Sequence, residues 1–134
     1  MDPASPVLVE HANGAIRMDH VVVTTNELER TCRAIELATG SPLRRVREAG
    51  PIRQGFLRVG GGGLVVEVVE RQGLPDGPAW FWGLVLNVED LDIAAEHIGP
   101  DGIGAVTPAV QPGRKIATVR AELGLGVPVA LMTA

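Results

Sequence analysis

With 134 residues, 46% of them hydrophobic, the chain is long enough for one domain with its own core and too apolar for a disordered segment. A formal net charge of −4 without a long basic run disfavours nucleic acid, whose phosphates ask for a basic surface, and no apolar run approaches the roughly 18 residues of a membrane span. The single cysteine, Cys32, excludes an intramolecular disulfide and suits a reducing cytoplasm, and the start of the chain lacks the pattern of a signal peptide.

Residues 1–15 read as a leader arm, with Pro3, Pro6 and the turn pair Asn13-Gly14, and with 7–9 adding an edge strand. A first strand is expected over 17–24, rich in β-branched Val21, Val22 and Val23. Asn26 is a good N-cap for a helix over 27–39, where Leu28, Cys32 and Ile35 share a face. Gly40 ends that helix and Pro42 bars its continuation. A short charged strand at 43–47 follows, then a Gly50-Pro51 turn and a strand at 52–59. The glycine run 60–63 makes a hairpin turn into a strand at 64–70.

A linker over 72–78, rich in Gly and Pro, leads to a strand at 80–88 and a helix at 90–98 with Glu89 or Asp90 in its first turn. Weaker strands are expected at 104–110 and 114–121, and a last one at 127–133. The order βαβββ therefore occurs twice. Three strands after one helix favour hairpin pairing over a doubly wound sheet, an α+β architecture.

The two halves also match in detail. Laying Leu28 on Leu91 gives an offset of 63 (91 − 28), which puts Val21 on Leu84, Ile35 on Ile98, Gly50 on Gly113 and Val66 on Val129 without gaps. The residues with the most chemistry in the first copy break the match. His20 falls on Gly83, and Glu67 falls on Ala130.

Four motifs carry a family resemblance: DHVVVTTNEL with GGGLVVEVVE in the first copy, and WGLVLNVEDL with LGVPVALM in the second. Together, over about residues 17–133, they resemble the vicinal oxygen chelate superfamily of glyoxalases, bleomycin-resistance proteins and extradiol dioxygenases. The resemblance implies one domain over 16–134, built of modules 16–71 and 79–134, whose mixed, mostly antiparallel sheets form an open cup. It implies a homodimer. In metal-dependent members of that superfamily, ligands come from the first and last strands of both modules. His20 and Glu67 match two of those places, while Gly83 and Ala130 supply no donor.

An imidazole and a carboxylate suit Zn²⁺, Ni²⁺, Mn²⁺ or Fe²⁺, but two protein ligands hold a metal weakly, so the expectation is that none is tightly bound. A third ligand would have to come from His11, His97 or Gln111. Glu67 lies inside the apolar run LVVEVVE, where a carboxylate is costly unless paired or hydrated, which makes it the leading catalytic candidate with His20 as its partner. Trp80 and Trp82 are candidates to wall an apolar ligand, against the alternative of core or dimer packing. Arg53 and Arg114, in matching parts of the two copies, are candidates to hold a carboxylate or phosphate, against the alternative of a solvated strand face.

Two functions follow as expectations. One is a small-molecule enzyme of lyase, isomerase or dioxygenase type, with a partly lost metal site, acting through His20 and Glu67. The other is a metal-free binding or sequestering protein of resistance type. Metal-independent catalysis with Glu67 as base is the variant of the first in which no ion takes part.

Overall fold

The structure, a computed structural model, describes residues 10–61 and 63–134. The edge strand expected at 7–9 and Gly62 of the hairpin turn lie outside the described residues. The chain divides into two compact units, one of His20–Gly83 and one that joins residues 10–19 to Leu84–Ala134.

The first unit holds most of β1 (Ala15–Thr25), then α1 (Leu28–Thr39), β2 (Leu43–Ala49), β3 (Ile52–Val59) and β4 (Leu64–Arg71). Its strands lie in the order β2-β3-β4-β1. The β2–β3 and β3–β4 pairs are antiparallel, and β1 runs parallel to β4. The second unit holds most of β5 (Trp80–Val88), then α2 (Leu91–Ile98), β6 (Thr107–Pro108), β7 (Lys115–Thr118) and β8 (Val129–Thr133). Its order is β5-β8-β7-β6, with β5 parallel to β8 and the other pairs antiparallel. The repeated βαβββ order and the mixed, mostly antiparallel α+β architecture expected from the sequence are thus present.

In the first unit, alternation along the strands sorts side chains between two faces. Val21 and Val23 of β1, Leu57 of β3 and Val66 and Val68 of β4 turn towards α1 and pack with its Leu28 and Cys32. Gly55 of β3 lies under the helix. A Cβ there would stand 2.8 Å from Cys32 Sγ and 3.3 Å from Leu28, so no larger residue fits without repacking. In this apolar setting burial pushes the Cys32 thiol up to about 11, and the sulfur serves as core. The second unit repeats the plan with Val88, Leu91, Ala94, Ala117 and Leu131.

The helix starts differ from each other and from the sequence reading. Asp90 is the N-cap of α2, and its carboxylate accepts from the Ile93 amide at 3.0 Å. Asn26 does not cap α1. Glu27 holds that position without a side-chain cap, and the Leu28 amide instead donates to Glu70 Oε2 of β4 at 2.7 Å. Asn26 is turned outwards, donating to Asp76 and accepting from Arg30. The remaining large departure is β6, expected over 104–110 and present as two residues. Pro108 has no N–H to continue the ladder. The neighbouring Ile103 and Gly104 contact Val119 and Thr118 by an isolated bridge and a single bond. Among the described residues no helix is long and apolar enough to cross a membrane.

Candidate functional site

The face of the first unit turned away from α1 carries His20, Val22 and Thr24 of β1 and Val65, Glu67 and Val69 of β4. Their parallel register is His20↔Val65, Val22↔Glu67 and Thr24↔Val69. His20 and Glu67 are therefore one register step apart on neighbouring strands, near enough for side chains to meet. His20 Nε2 lies 3.6 Å from Glu67 Oε2, and both side chains are mostly buried, at 17% and 15% exposure. The family resemblance grouped these two residues, and the structure brings them together.

Gln54 completes the group. It sits on β3, diagonal to Glu67 across the antiparallel register Gln54↔Val69 and Phe56↔Glu67. Its Nε2 donates to Glu67 Oε1 at 2.6 Å. One carboxylate oxygen is thus held by an amide, and the other faces an imidazole. Gln54 was visible in the sequence next to Arg53, but nothing there said which of the two shares the face of Glu67. The register settles it, because neighbours on a strand point to opposite sides.

Arg53 accordingly lies on the α1 side. It binds Glu29 at 2.7 Å, Glu70 at 3.5 Å and Glu48 at 3.7 Å. The hydrogen bond from Arg53 holds the Glu29 carboxyl below its usual range, and the same bond raises the guanidinium in turn. Arg53 thus joins β3 to α1 and is not brought to Glu67. In the second unit Arg114 pairs with Asp19 at 3.4 Å, while Arg17 donates to the fully buried Asn87 at 2.9 Å.

Trp80 and Trp82 are about half exposed, at 47% and 42%. Alternation along β5 puts them on the side opposite Gly83, whereas Phe81 shares Gly83's side. An open apolar groove of about 470 Å³ does lie close to this chain segment, between Val23, Ala34, Ile35, Ala38 and Ala79, with Arg30 at its edge. It is on the α1 side of the first unit, away from Glu67.

A metal has few protein donors here. Gly83 and Ala130 supply none, and one oxygen of Glu67 is already engaged by Gln54. Among the described residues there is no group of three His, Cys, Asp or Glu able to hold an ion. Gln111 belongs to the turn before β7, where its carbonyl accepts from the Arg114 amide. One imidazole and one shared carboxylate do not fit a tightly held divalent ion.

No family model matches the chain, and no curated protein matches it by sequence. Solved structures do match. Methylmalonyl-CoA epimerase from Mycobacterium tuberculosis superposes with a TM-score of 0.72 at 16% identity, over 93% of this chain and 92% of that one. The Streptomyces coelicolor methylmalonyl-CoA epimerase in complex with 2-nitronate-propionyl-CoA gives 0.68 at 17% identity, over 90% and 98%. A hypothetical protein from Bacillus halodurans C-125 gives 0.68 at 12% identity, over 88% and 94%. At these identities the likeness shows the fold alone, across nearly the whole length of each chain.

Proposed function

We propose that this protein is an isomerase-type enzyme that moves a proton on carbon next to a carbonyl, with Glu67 as base and without a resident metal. The observation that carries this reading is the His20–Glu67–Gln54 group on one strand face. Glu67 Oε2 accepts the proton from the substrate carbon, and the electron pair left behind moves onto the carbonyl oxygen as an enolate. Delivery of a proton from solvent to the opposite face of that carbon collapses the enolate and completes the isomerisation. Gln54 fixes Oε1, so the carboxylate presents Oε2 in one orientation. His20, beside Oε2, takes up the transferred proton in turn and exchanges it with solvent. The fold likeness to methylmalonyl-CoA epimerases supports the reaction class and makes methylmalonyl-CoA the first substrate to try.

The test is α-proton exchange in D₂O, followed by proton NMR, on methylmalonyl-CoA and a panel of 3-oxo acids and acyl thioesters, with EDTA present. The expected outcome is exchange that survives EDTA and falls about 100-fold or more in Glu67→Gln, the usual scale for a general base. Exchange at the wild-type rate in Glu67→Gln would overturn the reading. Exchange abolished by EDTA and restored by one of Zn²⁺, Ni²⁺, Mn²⁺ or Fe²⁺ would return the site to metal chemistry. The same reading takes the chain as one domain of modules 16–71 and 79–134, located in the cytoplasm and working as a homodimer.

A further inference from the structure

On the strands of the first unit, charge is sorted by face. Arg45 and Arg47 of β2 stand in register with Phe56 and Gln54, and Phe56 and Gln54 with Glu67 and Val69. These two arginines thus share the face of Glu67, and Arg58 and Arg71 fall on it by the register Arg58↔Val65 and Ile52↔Arg71. The other acids of these strands, Glu48 and Glu70, are on the α1 side, each in register with Arg53. Along β1–β4 within His20–Gly83, Glu67 is therefore the one acid on a face with four arginines.

An edge strand such as β2 often carries charges that block pairing with another chain. That purpose does not require the two signs to be separated by face. One contact and one register pair tie these cations to the site. The Arg45 guanidinium lies over the Phe56 ring, 5.5 Å from its centroid, and Phe56 is directly opposite Glu67. Arg47 is directly opposite Gln54, whose amide reaches Glu67 at 2.6 Å. Each arginine is thus one strand, roughly 5 Å, from a residue that adjoins the carboxylate.

We propose that Arg45 and Arg47 anchor an oxyanion, a carboxylate or a phosphate, on the substrate whose carbon Glu67 deprotonates. The proposal rests on the proton-transfer reading for the role of Glu67, but anion binding is measured without turnover. Planar guanidinium groups suit an oxyanion because they donate two parallel N–H bonds. Holding the anion on β2 and β3 would leave the acidic carbon over β4, and the negative charge of Glu67 would keep the anion from binding at the base itself.

The experiment titrates the full chain with sodium malonate and, separately, inorganic phosphate at constant ionic strength, and reads arginine Nε–H and Gln54 side-chain NMR signals. Saturable shifts of Arg45, Arg47 and Gln54 are expected. Arg45→Gln with Arg47→Gln should raise the dissociation constant about ten-fold or more, whereas Arg33→Gln on the exposed side of α1 should leave it unchanged. The single substitutions answer the same question should the double variant not fold. Response to malonate alone assigns a carboxylate, to phosphate alone a phosphate, and to both a general oxyanion site. No saturable response to either, or unaltered affinity in the β2 variants, overturns the proposal. Glu67→Gln should bind the anions more tightly, having lost a like charge. Anion binding without α-proton exchange in the wild type would retire the proton-transfer reading and keep the anchor. Exchange without anion binding would do the reverse.

Discussion

At Thr24 the side chain is 1% exposed, and its hydroxyl has no hydrogen-bond partner among the described residues. It shares the face of His20 and Glu67, and its register partner Val69 is buried too. A buried hydroxyl without a partner costs free energy, and an apolar group of the same shape removes that cost. Thr24→Val is therefore expected to stabilise the fold by about 1 kcal/mol, seen as a higher urea midpoint at unchanged slope. A lower midpoint would mean that the hydroxyl has a bond, for instance to an ordered water. The neighbouring Thr25 shows the satisfied case. Its hydroxyl accepts from the Glu27 amide and from the Thr31 hydroxyl, and so helps to set the turn into α1. The sequence offered Thr24 and Thr25 as an undistinguished pair, and strand alternation gave them opposite surroundings.

The start of α1 shows how one element depends on another. Its first amide is satisfied from β4, 42 residues away, by a carboxylate that also binds Arg53. Glu70→Ala should destabilise the protein by about 1–2 kcal/mol, while Asn26→Ala should change it by a few tenths at most. Thermal or denaturant melts of the two variants decide between them, and equal losses would mean that Asn26 is the working cap after all. The nearby Arg53–Glu29 pair adds little, because Glu29 is exposed and solvent screens it. Its sign is nevertheless fixed. A carboxyl held below its ordinary value contributes above that value, and the contribution fades as pH falls through the lowered one. The expectation of Asn26 as cap rested on residue type and position. A distant glutamate is invisible to any local rule, since only the sheet register brings it to the helix.

For the whole molecule, the repeat governs the fold, and the two halves differ at the residues proposed for the chemistry. Both units have a helix packed on four strands, yet His20 and Glu67 have no chemical counterpart at Gly83 and Ala130. The first unit thus carries the imidazole–carboxylate pair, and the second carries the Arg17–Asn87 and Asp19–Arg114 pairs. The homodimer inferred for this fold is expected to sediment as one species of twice the chain mass at micromolar concentration. A species of single-chain mass that persists to high micromolar concentration would sink it.

The sequence by itself determined the two βαβββ copies and the boundaries of most strands and both helices. Those rest on local preference and on periods of 2 and 3.6, which a chain carries in the order of its residues. Only the tertiary structure decided that Gln54 rather than Arg53 meets Glu67, that Arg45 and Arg47 share the carboxylate's face, and that Glu70 caps α1. Each depends on register between strands distant in sequence, and a slip of one residue would exchange the two faces.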